Sequence, residues 1–225
     1  MNTMSVRRWS MRVWLIAALS TMAGCAALVT PNFTQQLTEL RTGDYELDPE
    51  HAYLHFKIEH LGLSTVVGRF NRVRATLDFD PNAIGQMKLD GVVDMSSLDM
   101  NNSELEELLQ GSRWFDVGRF PEATFQTTGV TVPGNVTSAE NTQNGNAEPT
   151  LLKVAGEFTL KGVTQEIVLD VKFKGGADNI LTGKYTLGFS ARGSLKRSDF
   201  GVDAWPALVA DDVFIELDGE FQATR

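Results

Sequence analysis

The sequence predicts an all-β protein, most economically an extended eight-stranded antiparallel barrel with one short helix. Three observations carry that expectation. The first is strict alternation at the start of the globular part. Ala52, Leu54, Phe56 and Ile58 fall on one side, and His51, Tyr53, His55, Lys57 and Glu59 on the other. Val73, Ala75, Leu77 and Phe79 then alternate with Arg72, Arg74, Thr76 and Asp78. A period of two with one apolar side belongs to a strand with one face in a core and the other in water. The second is punctuation: turn residues such as Asp80-Pro81-Asn82 and Lys161-Gly162 divide the chain into about eight such runs. Consecutive antiparallel strands of that number close into a barrel, with a two-sheet sandwich as the alternative. The third is that the period changes to a helical one only once, after Asn101.

The elements follow in order. Residues 1–24 read as a signal peptide. Arg7, Arg8 and Arg12 form a basic region, and Val13 to Leu19 is an apolar run too short to span a membrane. Thr21-Met22-Ala23-Gly24-Cys25 resembles a lipobox, in which Cys25 is acylated and becomes the new N-terminus. A plain secretory signal cut near Ala26 or Ala27 is the alternative. Cys25 is the only cysteine, so no intrachain disulfide forms. Acyl chains there would tether the protein to a membrane. Ala26, rather than Asp, then favours the outer membrane. Residues 26–44 read as a polar tether with helix formers around Gln35 to Arg41, and 45–225 as the barrel domain. Asp48-Pro49-Glu50 turns into the first strand.

Met87, Leu89, Gly91 and Val93 mark a third strand. Asn101-Asn102-Ser103-Glu104 reads as a helix start, with an N-cap type residue and Glu three later. Leu105, Leu108 and Leu109 form its apolar stripe, and Gly111 stops it. Ala123 to Val132 is another strand. Residues 134–149, GNVTSAENTQNGNAEP, are a polar insert read as a long loop. Strands resume at Leu151–Leu160, turn tightly at Lys161-Gly162 into Val163–Phe173, and continue over 180–196 and Asp212–Gln222. The last places Val213, Ile215, Leu217 and Gly219 on one face.

Charge and residue chemistry exclude several function classes. The formal charge is −9; residues 1–24 hold three of the 20 basic residues and none of the 29 acids, so the remainder carries −12. Such a surface repels nucleic acid. His51 and His55 share a strand face, but at about 3.4 Å per residue they stand roughly 13 Å apart and cannot share an ion. No metal site and no catalytic residue is expected: there is no G-x-S-x-G and no Cys/His pair. Ser64 near His60 has no orienting carboxylate, and Asp211 and Asp212, as neighbours in a strand, face opposite ways.

Four blocks in order resemble the YceI-like, polyisoprenoid-binding family. They are Tyr45-x-x-Asp48-x-x-His51-x-x-x-x-Phe56-x-x-x-His60-Leu61-Gly62 with Val67-Gly68-Arg69-Phe70; Trp114-Phe115-Asp116-Val117 with Phe120-Pro121-x-x-Thr124-Phe125; Gly156-x-Phe158-x-Leu160-x-Gly162-Val163-Thr164; and Arg197-Ser198-Asp199-Phe200-Gly201. The resemblance implies a lipocalin-like barrel with a long apolar tunnel for a polyprenyl phosphate, an isoprenoid quinone or a fatty amide. It implies a periplasmic or surface location, often a dimer, and no cofactor beyond such a bound lipid. Phe56, Ile58, Phe70, Phe115, Phe125, Phe158, Phe189 and Phe200 are the expected lining. His60, Arg69 and Arg197 are the expected head-group contacts. Periodicity alone does not decide whether the barrel is hollow or filled. A filled barrel that shows its Trp114–Phe120 loop to an envelope partner is the alternative reading.

Overall fold

The computed structural model describes residues 33–133 and 151–224. The leader with Cys25 and the 134–149 insert lie outside the described residues. The strands are β1 (Gly43–His60), β2 (Ser64–Phe70), β3 (Val73–Phe79), β4 (Lys88–Asp94), β5 (Leu98–Asp99), β6 (Glu122–Thr131), β7 (Leu151–Leu160), β8 (Val163–Asp178), β9 (Tyr185–Lys196) and β10 (Val209–Ala223); helix α1 spans Ser103–Gln110.

Every pairing is antiparallel, and β1 against β10 closes the sheet on itself. Along its other edge β1 pairs with β3 over Gly43–Glu46 and with β2 over Leu54–His60. β2 and β3 are therefore two halves of one position in the wall. β4 and β5, which pair with β3 and β2 respectively, are likewise two halves of the next. The result is a closed eight-stranded barrel. Closure leaves no long edge strand exposed. Among the described residues the strands close on one another within Gly43–Ala223, through the β1–β10 pairing.

Three local expectations need correction. The first strand starts at Gly43 and runs straight through Asp48-Pro49-Glu50 instead of beginning after it. From Leu47 to Ala52, β1 advances five residues while β10 moves only from Phe221 to Gly219. The extra residues form a bulge, which absorbs Pro49 without breaking the barrel. The stretch before β1 is also not a free tether over residues 33–42. Thr34 exchanges two main-chain hydrogen bonds with Gly176, at 2.9 and 2.8 Å. A 3₁₀ turn at Leu37–Glu39 then presents Leu40, 6% exposed, to the barrel end. Arg41 forks onto Asp178 at 2.6 Å through each nitrogen and stacks 4.3 Å over the Tyr185 ring. The apolar Leu37 and Leu40 are what the polar composition concealed.

Helix α1 is where its period places it, but its cap is shifted. Asn102 is the N-cap, and its side chain accepts from the Leu105 N–H at 3.1 Å. The reciprocal carboxylate is Glu106, which accepts from the Met100 and Asn102 N–H groups at 2.8 and 3.3 Å. Glu104 plays no part in that cap. The 161–162 hairpin turns as expected, with Lys161 and Gly162 both at positive φ (52° and 78°).

The two ends of the barrel differ. At the closed end, Tyr45, Leu77, Phe79, Leu152, Val154, Phe173 and Leu187 are each at most 3% exposed, under the Leu37–Leu40 plug. The aromatic rings there interlock edge to face: Tyr45–Phe79 at 6.3 Å, Phe173–Phe189 at 5.4 Å and Phe189–Phe221 at 5.8 Å. At the other end the β1–β2 turn, the α1 segment and the 197–208 loop ring an opening.

Candidate functional site

Inside the barrel, toward its open end, is a cavity of about 450 Å³. Its wall is made by the inward parity of each strand. β1 supplies Ala52, Leu54, Phe56, Ile58 and His60; β10 supplies Val209, Val213, Ile215, Leu217 and Phe221. Apart from Tyr53, His60, Thr124, Arg197 and Asp218, every lining residue is apolar. Phe56, Ile58, Phe70, Phe115, Phe125 and Phe158 all point inward, yet none is fully buried. The surface they retain is the wall of the cavity. An apolar space of this size, open at the mouth, is of the kind that holds small hydrophobic ligands, roughly 300–1,000 Å³.

Two glycines keep the space open. A Cβ on Gly68 would stand 2.4 Å from both Phe56 Cζ and Met100 Sδ, and one on Gly156 would stand 2.3 Å from Phe125 Cζ. The rings of Phe56 and Phe125 therefore lie against bare backbone instead of projecting across the lumen. Side chains at either glycine would drive a ring inward.

The expected site residues divide clearly. Phe56, Ile58, His60, Phe70, Phe115, Phe125, Phe158, Phe189 and Arg197 all border the cavity. Phe189 does so at its floor, within the packed aromatic cluster. Phe200 does not line it. It is 1% exposed and packs behind Phe158, ring centroids 5.4 Å apart. Arg69 points away from the cavity altogether. It sits on the outer face of β2 and reaches Asp99 of β5 through Nε and Nη2, at 3.0 and 2.7 Å. Asn71 donates to the same oxygen. Hydrogen bonding, Arg69 first, pulls the Asp99 carboxyl down to about 2. Parity explains the error: Gly68 faces Phe56 inside the barrel, so Arg69 beside it must face out.

Arg197 is buried, 5% exposed, and its partners are unusual. Nε donates to the Ala210 carbonyl at 2.8 Å; Nη1 donates to those of Val202 and Ala204 at 2.7 and 2.8 Å; Nη2 donates to that of Val209 at 2.9 Å. The Trp114 ring lies 5.8 Å below it. Four of the five N–H groups thus hold the 202–210 loop in shape, and the acceptors are all main-chain carbonyls rather than a carboxylate. His60 pairs in register with Val209, the same residue that Arg197 grips. The imidazole and the guanidinium therefore converge at one side of the mouth. Trp114, the large aromatic before Phe115, packs edge-on against Trp205 at 5.5 Å and helps roof the cavity.

The sequence reading missed the contribution of Met100 and Leu105, which descend from the α1 segment onto the lumen. It also missed a group on the outer wall. The bulge in β1 brings His51 Nδ1 to 2.8 Å from Asp48 Oδ2, with Glu220 alongside. In a regular strand residues three apart face opposite ways, so spacing alone hides this cluster. The hydrogen bond to Asp48, with the charge of Glu220, raises the His51 pKa.

The YceI-like domain family model matches residues 45–221. A UPF0312 protein of Yersinia pestis (strain Pestoides F) is 33% identical over 180 residues, covering 78% of this chain and 85% of that protein. Among solved structures, the Campylobacter jejuni YCEI protein superposes with a TM-score of 0.61 at 29% identity, covering 75% of this chain and 91% of that one. A polyisoprenoid binding domain from Saccharophagus degradans shares the fold, with a TM-score of 0.57 at 15% identity over 81% and 99% of the two chains. With the family pattern matched from the first strand to the last, the chain belongs to the YceI-like family.

Proposed function

We propose that the barrel binds a long-chain amphiphile of the isoprenoid class, with its tail in the cavity and its head at the mouth. The observation that carries this reading is the cavity: inward-facing rings and aliphatic side chains that border an apolar space instead of filling it. The structural neighbour described as a polyisoprenoid binding domain supports the ligand class. Binding would rest on burial. Each methylene moved from water to the apolar wall contributes about 0.8 kcal/mol, so a long tail binds tightly with few polar contacts. His60 and the remaining N–H of Arg197 are the groups placed to meet a head group.

The leader and Cys25 support a carrier held at the cell envelope, facing the periplasm and tethered by acylation. On this account the protein sequesters or carries a lipid and performs no reaction on it. The binding test uses uptake of polyprenyl phosphate and of an isoprenoid quinone by the lipid-free protein. Phe56→Asp places a charge on the wall and should abolish uptake of both, while His60→Asn should shift the preference between them without abolishing either. Equal uptake by the native protein and Phe56→Asp contradicts the reading.

A further inference from the structure

The open end carries an apolar surface that the cavity does not need. Leu63, at the tip of the β1–β2 turn, is 85% exposed, and Leu61 beside it is 51% exposed. On the adjoining loop before β10, Trp205 and Leu208 are 41% and 44% exposed. The two loops are joined, since the Leu61 N–H donates to the Leu208 carbonyl at 2.9 Å. Leu61 and Trp205 both have positive φ, 57° and 52°. That conformation is normally filled by Gly, Asn or Asp. Here two such positions carry large apolar side chains that remain about half exposed. Trp205 also lines the cavity, so the outer rim and the inner wall form one continuous apolar surface.

We propose that this rim docks on the surface of a lipid bilayer, dipping Leu61, Leu63, Trp205 and Leu208 into it, and that ligand passes between bilayer and cavity there. The inference rests on the amphiphile-binding reading. Three features select a bilayer as the occupant. The rim is four protruding side chains on two narrow loops, far fewer than the roughly 20–30 residues a side of a stable protein interface. Beside the protruding Leu63 it holds an indole, the side chain that favours the bilayer–water boundary. It also opens directly into an apolar cavity, so a lipid tail would enter without crossing water. The neighbouring Glu59 and Asp203 are acidic and exposed. Insertion of apolar groups, rather than attraction to anionic head groups, would therefore hold the contact, and a zwitterionic bilayer suffices.

The test uses residues 26–225, which contain the whole closed barrel and only two tryptophans, the buried Trp114 and the exposed Trp205. The protein is mixed with phosphatidylcholine vesicles, partition is read by sedimentation, and emission is read with brominated phosphatidylcholine. The native protein should partition, with Trp205 emission quenched and the Trp205→Phe variant showing little quenching. Leu63→Glu should partition about tenfold more weakly with an unchanged thermal midpoint. Val168→Glu, on the outer wall, should partition like the native protein. No partition, equal partition by Leu63→Glu, or binding only to phosphatidylglycerol vesicles would overturn the proposal. Uptake of the apolar dye N-phenyl-1-naphthylamine separates the two readings. Uptake without partition leaves the cavity standing and removes the rim. Partition without uptake of the dye or of added quinone does the reverse.

Discussion

The closed and open ends of this barrel are built from the same strands with the same alternation, yet one is solid and the other hollow. β1 shows the contrast within a single element: Tyr45 is 1% exposed, whereas Phe56 and Ile58, further along the same inward face, border empty space. The difference does not lie in the residue types, which are aromatic and aliphatic throughout. At the closed end a separate segment, Leu37–Leu40, covers the opening, and the rings stack edge to face. Further along the barrel the rings of Phe56 and Phe125 lie against Gly68 and Gly156, and none of the described residues fills the lumen. Alternation sets which side chains point inward. What meets them there is decided by contacts distant in sequence.

The largest expected effect is a difference in response to truncation. Phe79→Ala at the closed end should cost about 3–5 kcal/mol, because its fully buried ring leaves a cavity in packed surroundings. Phe56→Ala should cost about 1–2 kcal/mol, because its ring already borders a void. Urea denaturation measures both, and equal costs would erase the distinction between the two ends. Arg197→Met comes next. It strips donors from four carbonyls beside the mouth and should cost about 3 kcal/mol, with the 202–210 loop losing amide protection from hydrogen exchange ahead of the rest of the barrel.

Tyr45 sharpens the comparison through pH. Burial pushes its phenol up from 10.0 to about 12. A group whose folded pKa is raised contributes its full stability below the unfolded value and loses it as pH rises. The closed end should therefore loosen between pH 10 and about 12. Tyr45→Phe removes that alkaline transition and, by losing the hydrogen bond to the Arg41 carbonyl, lowers neutral-pH stability by about 1 kcal/mol. The smallest effect belongs to the outer seam between β2 and β5. Arg69→Met should leave both the urea midpoint and lipid uptake nearly unchanged, since the pair faces water. The Asp99 pKa is depressed, so its contribution is present above 3.8 and disappears as pH falls toward about 2; in the variant that acid dependence should weaken.

Most of the barrel was legible in the sequence because its signals are local. Alternation, the Lys161-Gly162 turn and the single helical stripe at Leu105 and Leu109 each need only a short window. Parity puts Phe56 and Ile58 on the inner face, Phe70 and Phe158 came with the matched family blocks, and all four border the cavity. Arg69 and Phe200 failed because they were taken from matched blocks without applying parity or depth: Arg69 flanks an inward glycine, and Phe200 stands behind another ring. The bulge at Asp48–His51 was hidden for a different reason. A register slip is a relation between β1 and β10, more than 150 residues apart in the chain, and no local pattern reports it. The plug at Leu37–Leu40 was masked by the polar residues around it.

The most direct test of the central claim is native mass spectrometry of the protein purified from its membrane-containing host without detergent. The account predicts a species carrying one long-chain lipid per barrel, lost in Phe56→Asp while that variant remains folded. Protein that is free of lipid, and that takes up neither polyprenyl phosphate nor quinone when they are added, would contradict it.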